Sequence, residues 1–493
     1  MKHLFSALIT LTLINPLIST PGCSTPDYLT PGWDKQTIDT TKTSFPKDFL
    51  WGAGTSAQQV EGNCTNNTWY QAEQDGKFPE VAGIACDHWN RYKEDIQLLK
   101  KAGLNTYRFS VEWSKIEPSE GEFDETALQH YQDVVEELVR NNIKPCITLH
   151  HYTDPIWFAD KGGFEKPENS TLFVRFGQTV INRLQPHGVH LWFTFNSPDG
   201  YAARGYQQGS QPPFKKNMAL MAEVYKNVLE THVQLYRTIK SMHGDTIRIG
   251  ILKNILQLDP YNYCNPLDHL GCKIATDLTD TGFFGFFTTG RFTIWIPCLV
   301  NCDHTNSEAI GATDFIGLNY YSHLYMKNFK PVHGVNEETT QNPNYVVYPE
   351  GLYRALTTIN EKLVQPLKKL TPSRDIPVYV TENGIATDDD AQRDRFLKSY
   401  LASISRAMHD GVPVKGYIHW SLLDNYEWGS YSKHYGIYAV NRETQERTFK
   451  PGAAYLVVCA LSATRYLNHA DLPAQQEPVL SALTSLRAKG LFA

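Results

Sequence analysis

The chain alternates between short apolar runs and longer runs in which apolar residues recur at helical spacing. Short apolar runs with polar borders predict strands that are covered on both faces, as in a parallel sheet. Eight such runs predict strands at Phe49–Ala53, Thr106–Val111, Lys144–Leu149, His190–Phe195, Ile247–Ile251, Phe315–Asn319, Val378–Thr381 and Tyr417–Ser421.

Amphipathic runs separate the predicted strands. Ala127–Asn141 predicts a helix with one buried face, and similar patterns occur in His88–Lys101, Met218–Ser241 and Ala391–His409. Repeated strand–helix alternation is typical of an α/β fold, and a count of eight strands predicts a closed (β/α)8 TIM barrel. A doubly wound open sheet is the alternative, but no glycine-rich phosphate loop supports it.

Residues suited to binding or catalysis stand near the predicted strand ends. In a parallel barrel the C-terminal ends of all strands meet at one face, where the active sites of such barrels lie. The pattern therefore predicts one shared site for Gln59, Arg108, His151, Asn196, Tyr321, Glu382 and Trp420.

The two ends of the chain differ from this pattern. Residues 1–22 predict a signal peptide, because Lys2 and His3 precede an apolar run that is followed by small residues. Residues 23–44 predict a linker, 45–470 the barrel and 471–493 a tail of unknown role. We expect a secreted or cell-envelope protein, with Cys23 as a candidate lipid anchor and no later membrane-spanning segment.

Composition narrows the range of partners. The net charge is −6, which argues against nucleic acid. No cysteine spacing predicts a metal site, and we expect no cofactor. Three cysteine pairs are candidates for short-range disulfides, namely Cys264/Cys272, Cys298/Cys302 and Cys64/Cys86, whereas Cys146 and Cys459 lie in apolar runs and predict buried thiols.

Several segments resemble one family in order and spacing: Phe45–Gly52, Gln59–Gly62, Asp87–Asp95, Tyr107–Trp113, Gly317–Tyr321, Thr381–Gly384 and Trp420–Trp428. The family is glycoside hydrolase family 1, and the resemblance runs from about Phe45 to Tyr455. It implies a retaining β-glycosidase with a pocket for one sugar, acting on a small β-glycoside or oligosaccharide.

The resemblance also implies residue roles. Glu382 would be the nucleophile that forms a glycosyl-enzyme, with Arg108 and Tyr321 beside it. Trp420 would be the floor on which the sugar stacks. The hydrogen-bonding ring around the sugar would comprise Gln59, His151, Asn196, Glu427 and Trp428. Glu427 favours an unphosphorylated sugar, although Lys433 and Tyr435 match part of the set found in phosphosugar-cleaving relatives.

The proton-donor position departs from the family pattern. Thr194-Phe195-Asn196-Ser197-Pro198 stands where the family has Thr-Phe-Asn-Glu-Pro, in which the Glu is the proton donor. Gly205-Tyr206 follows at the expected distance, so the difference is a replacement and not a shift of register. A serine hydroxyl holds its proton too tightly to act as an acid at neutral pH. Asp199, two residues on, is a candidate substitute, and His151-Tyr152 replaces the more usual His-Trp.

Three functions remain open at this level. The first is a β-glycosidase with an impaired or substituted acid/base step. The second is a catalytically silent carbohydrate- or protein-binding barrel. The third is a transglycosidase or a thioglycosidase acting on activated leaving groups, since plant thioglucosidases of this family carry Gln at the position of Ser197.

Overall fold

A computed structural model describes residues 43–335 and 337–463. The eight predicted strands are all present and form a closed parallel barrel. We number the barrel strands β1 to β8: Leu50–Gly54, Thr106–Ser110, Lys144–His150, Leu191–Phe195, Ile249–Asn254, Ile316–Asn319, Val378–Asn383 and Val414–Trp420. They follow one another around the barrel in chain order, and β8 pairs with β1 to close it. The prediction of a (β/α)8 TIM barrel is therefore confirmed.

Helices surround the barrel. Those of eight or more residues in the described ranges, numbered α1 to α9, are His88–Lys101, Glu125–Arg140, Ser170–Leu184, Met218–His243, Pro266–Thr276, Gly282–Thr289, Pro349–Ile359, Asp390–His409 and Ala454–Ala463. Shorter helices span Ala57–Val60, Thr68–Gln74, Trp113–Ile116, Ile156–Asp160, Pro198–Ala202 and Gln365–Leu370. The four helices predicted from amphipathic runs are all present.

Helix α2 illustrates how the sequence produces these elements. Asp124 caps it by accepting hydrogen bonds from the backbone N–H groups of Thr126 and Ala127. Its predicted apolar face is buried through Leu128, Tyr131, Val134, Val135 and Leu138. Burial of such a face against the barrel supplies most of the stability of a helix of this kind.

Smaller sheets decorate the barrel. A three-stranded sheet contains Gln257–Pro260, His323–Lys327 and Lys330–Val332. Two-stranded sheets are formed by Arg291–Ile296 with Val300–Thr305 and by Tyr438–Val440 with Arg447–Phe449.

The cysteines do not form the three short-range pairs. Five of the six cysteines in these pairs are free thiols, namely Cys64, Cys86, Cys272, Cys298 and Cys302. Each pair contains at least one of them, so none of the three disulfides forms. Close spacing along the chain does not bring two sulfur atoms into bonding geometry. As predicted, Cys146 is a buried thiol, whereas Cys459 is a free thiol that is only partly buried.

The predictions for the chain ends lie outside the described residues. These are the signal peptide, the lipid anchor at Cys23, the tail at 471–493 and nearly all of the linker. Within 43–335 and 337–463, no helix has both the length and the apolar character needed to cross a membrane.

Candidate active site

A cavity of about 450 Å³ opens at the C-terminal face of the barrel. Its lining includes eight of the ten residues proposed from the sequence, namely His151, Asn196, Ser197, Tyr321, Glu382, Trp420, Glu427 and Trp428. Gln59 and Arg108 are fully buried and contact lining residues from behind. All ten side chains thus meet at one place, which the barrel topology brings about.

Glu382 is held by two donors at the end of β7. The Nη1 of Arg108 lies 2.7 Å from Oε1 of Glu382, and the hydroxyl of Tyr321 donates to Oε2 at 2.8 Å. Burial, with a further contribution from the charge of Glu382, raises the pKa of Tyr321, so this hydroxyl keeps its proton and remains a donor. The carboxyl group of Glu382 is therefore oriented by two donors and faces the cavity.

Asn196 is locked in one orientation beside this pair. Its Oδ1 accepts from Nη2 of Arg108 at 2.8 Å and from Nδ2 of Asn319 at 2.9 Å. Its Nδ2 lies 3.0 Å from Nε2 of His151. Because the two hydrogen bonds to Oδ1 fix the orientation of the amide, the Asn196 side chain faces the cavity in a single geometry.

A second group of side chains forms the opposite part of the cavity. Nε2 of Gln59 donates to Oε2 of Glu427 at 3.0 Å, and Nε1 of Trp420 lies 3.3 Å from the same oxygen. Burial raises the pKa of Glu427 to about 7, while Lys433 opposes this shift and the charge of Glu382 adds to it. These groups offer acceptors and donors suited to sugar hydroxyls.

Aromatic rings frame the cavity. His151 stacks between Trp420 and Trp428, with ring centroids 5.8 Å away in each case. Burial, helped by the nearby charge of Arg108, holds the pKa of His151 well below its usual value, so the imidazole is neutral. Flat aromatic faces beside hydrogen-bonding groups suit a ligand with both apolar and polar faces, such as a sugar.

Ser197 lies at the end of β4 in an unusual backbone conformation. Its φ of 45° is in the left-handed region, which residues other than glycine seldom adopt. Its Oγ accepts from Nδ2 of Asn319 at 3.0 Å, and its side chain and the hydroxyl of Tyr152 both lie against Gly200. The hydroxyl of Ser197 is therefore held by the amide of Asn319.

Asp199, the candidate substitute acid, is ion-paired outside the cavity lining. Its Oδ2 pairs with Nζ of Lys253 at 3.0 Å, and Lys253 also pairs with Asp280 at 2.9 Å. Asp199 is only 4% exposed, and it is not among the described residues that line the cavity. Burial raises its pKa, but this carboxyl group serves the ion-paired cluster and has no route to a ligand.

Four further residues of the site were not singled out as functional from the sequence. Asn319, Tyr152, Arg204 and Tyr345 line the cavity. Asn319 lies within a segment that matches the family, and Tyr152 is a departure from it, so both carried a signal. Arg204 and Tyr345 carried none, because their positions depend on how the helical turn Ala203–Gln208 and the loop that carries Tyr345 fold over the barrel.

Comparisons with known proteins agree with this geometry. Residues 41–461 match the profile of the family described as glycosyl hydrolase family 1. The chain is 30% identical over 446 residues to beta-glucosidase A of Acetivibrio thermocellus, covering 83% of this chain and 96% of the relative. It is also 30% identical over 441 residues to the 1,4-beta-D-glucan glucohydrolase of Thermotoga neapolitana, covering 82% and 96% of the two chains.

Solved structures show the same relationship. The beta-glycosidase from Pyrococcus horikoshii superposes with a TM-score of 0.75 at 32% identity, covering 86% of this chain and 95% of that one. The family 1 β-glucosidase from Thermotoga maritima in complex with isofagomine lactam has a TM-score of 0.75 at 26% identity, covering 86% and 100%. The chain therefore belongs to glycosyl hydrolase family 1, and its class is that of glycoside hydrolases acting on O-glycosyl bonds.

Proposed function

We propose that the chain is a retaining β-glycosidase, of β-glucosidase type, that forms a glycosyl-enzyme on Glu382 and lacks an efficient acid/base. The observation that carries this proposal is the environment of Glu382, which is bound by Arg108 and Tyr321 and faces the cavity. A protein that only bound sugars would gain nothing from holding a carboxyl group between two donors and aiming it into the cavity. The β-glucosidase names of the relatives support the sugar class.

The first step needs the nucleophile more than the acid when the leaving group is good. A carboxylate oxygen of Glu382 attacks the anomeric carbon while the bond to the leaving group breaks. General acid–base help contributes about 10²–10⁴-fold, which corresponds to about 3–5.5 kcal/mol of barrier. Ser197 cannot supply that help, so alkyl glycosides are poor substrates and activated glycosides are better ones.

The same observation bears on the alternatives. Ser197 favours a thioglycosidase or transglycosidase over an efficient hydrolase of alkyl glycosides, because the leaving group must depart unaided or an acceptor other than water must attack. A silent binding barrel is favoured only by the absent carboxyl group. A binding-only function does not explain why Arg108 and Tyr321 both donate to Glu382.

Trapping with a fluorinated substrate tests the proposal. A 2-deoxy-2-fluoro-β-glucoside with a dinitrophenolate leaving group reacts without acid help and releases its sugar slowly. We expect intact-mass spectrometry to show one added fluoroglucosyl group, and peptide mapping to assign it to Glu382. The Glu382→Gln variant is the matched control, because it keeps the size of the side chain and removes the nucleophile.

Two outcomes separate the alternatives. An adduct on Glu382 that is released faster by azide, with a β-glucosyl azide product, identifies a working nucleophile and an absent base. No adduct on wild type, together with glucose binding by calorimetry that Glu382→Gln leaves intact, identifies the binding barrel.

A further inference from the structure

Arg204 is a cation on the wall of the cavity. It belongs to the π-helical turn Ala203–Gln208, which continues from the short helix that begins after Ser197. Turns of this kind occur frequently at functional sites. Its guanidinium carbon lies 5.7 Å from the ring centroid of Tyr152, and its charge opposes the effect of burial, which raises the pKa of Tyr345. Two tyrosines thus lie close to the cation.

No carboxylate forms a direct ion pair with Arg204 within 4.0 Å in the described residues, and the charges of Asp199 and Glu382 act on it only from a greater distance. Asp199, the acid nearest in sequence, pairs with Lys253. The other cation that lines the cavity is Lys433, whose charge lowers the pKa of Glu427 against the larger effect of burial. A cation held in a cavity wall without a direct ion pair favours an anion in the space beside it.

The position of Tyr152 indicates on which side of the cavity Arg204 lies. The hydroxyl of Tyr152 and the side chain of Ser197 both lie against Gly200, and the face of the Tyr152 ring lies near Arg204. In a retaining glycosidase the acid stands beside the bond to the leaving group, across from the nucleophile. Because Ser197 occupies the position of that acid, Arg204 lies on the leaving-group side of Glu382.

We propose that Arg204 forms an anion subsite for the leaving group, and that the preferred substrates are β-glycosyl esters whose leaving group departs as a carboxylate. This inference rests on the proposed function. A guanidinium binds a carboxylate with two parallel hydrogen bonds. It stabilises the negative charge that develops on the departing oxygen, and so the first step proceeds without a proton donor at Ser197.

The step balances without a further reactant. A carboxylate oxygen of Glu382 forms the bond to the anomeric carbon, the bond from that carbon to the ester oxygen breaks, and its electron pair leaves with the carboxylate. In the second step water attacks the anomeric carbon and frees Glu382, and the proton of that water passes to solvent in the open cavity. The products are the sugar, the carboxylate and one proton.

The experiment uses 1-O-benzoyl-β-glucose as substrate and benzoate as probe. We expect Arg204→Met to lower kcat/KM for the ester and to raise the inhibition constant of benzoate, each by about tenfold or more, as for loss of a charge-assisted hydrogen bond. Arg204→Lys retains the charge without the two-pronged geometry, so we expect an intermediate loss. Hydrolysis in heavy-oxygen water must place the label in glucose and not in benzoate.

Arg406→Met is the matched control variant. Arg406 also lies over a tyrosine ring, with its guanidinium carbon 3.9 Å from the centroid of Tyr353, but it is on α8 and outside the cavity lining. We expect it to leave both constants unchanged. Equal constants for wild type and Arg204→Met, or label in benzoate, overturn the subsite. Absence of the fluoroglucosyl adduct on wild type overturns the proposed function instead, and benzoate binding by calorimetry still reports on Arg204.

Discussion

At the scale of one residue, the proposed function makes Ser197 the limit on turnover, because a hydroxyl can neither protonate an alkoxide nor deprotonate water at neutral pH. Ser197→Glu should return a carboxyl group to the wall of a cavity of about 450 Å³. We expect kcat for octyl β-glucoside to rise by about 10²–10⁴-fold, the usual contribution of general acid–base catalysis. Steady-state kinetics on enzyme quantified by fluoroglucoside titration measures this rise.

Ser197→Gln controls for side-chain length. Glutamine fills the same space as glutamate, but it carries no acidic proton at neutral pH. We expect Ser197→Gln to remain as slow as wild type on octyl β-glucoside. Equal rates for the Glu and Gln variants would show that an absent acid is not what limits the enzyme.

Glu427 predicts a pH dependence of sugar binding. Burial raises the pKa of Glu427 to about 7, so it is ionised above that pH and protonated below it. Sugar hydroxyls prefer the carboxylate as acceptor, and a proton competes with them. We therefore expect the inhibition constant of glucose to be flat above pH 7 and to rise by up to about tenfold per unit as the pH falls below it.

The Glu427→Gln variant isolates this titration. Its amide does not titrate, so we expect weaker glucose binding at pH 8 and a flat profile across neutrality. A profile in the variant that matches that of wild type assigns the pH dependence to another group.

At the scale of elements, the sequence predicted the barrel and not all of its boundaries. Every strand was found, since apolar runs covered on both faces leave a clear pattern. Strand β8 begins at Val414, three residues before the predicted start at Tyr417. The prediction started late because the partly buried Lys415 interrupts the apolar run. A local pattern does not reveal that the barrel rim admits a charged side chain there.

The site was predictable as far as it depended on motifs. Gly384, which follows Glu382 and Asn383, shows what the sequence alone conceals. A Cβ atom at Gly384 would lie 1.7 Å from the backbone oxygen of Trp420. The glycine thus lets β7 approach β8 next to Glu382, and this contact joins positions far apart in the chain. The same reason hid Arg204 and the pairing of Asp199, because distant chain segments create both environments.

At the scale of the whole molecule, one buried ion pair joins the two ends of the barrel domain. Nε of Arg447 lies 2.8 Å from Oδ1 of Asp95 on α1, with side-chain exposures of 1% and 0%. Asp95 also lies 2.7 Å from Nδ1 of His88. Burial opposes the charge of Asp95, but the bonds from His88 and Arg447 prevail and hold its pKa below the ordinary value.

Removing one partner leaves a buried charge uncompensated, which costs about 3–5 kcal/mol. We therefore expect Arg447→Met to lower the free energy of unfolding by about that amount at pH 7. Arg91→Met is the control, because Arg91 lies on the same helix as Asp95 and pairs with Asp87 and Glu94 at the exposed surface. A surface pair of this kind contributes about 0–1 kcal/mol. Urea unfolding followed by tryptophan fluorescence measures both.

The pH dependence of this loss tests its electrostatic origin. A carboxyl group whose pKa is depressed by folding stabilises the native state fully above its unfolded pKa of about 4, and this stabilisation is lost as the pH falls through the folded pKa. In Arg447→Met the pKa of Asp95 moves upward, so the difference from wild type should be largest near neutrality and shrink below about pH 4. An equal loss for Arg447→Met and Arg91→Met at pH 7, or a loss that does not change with pH, would mean that Arg447 contributes packing and not charge.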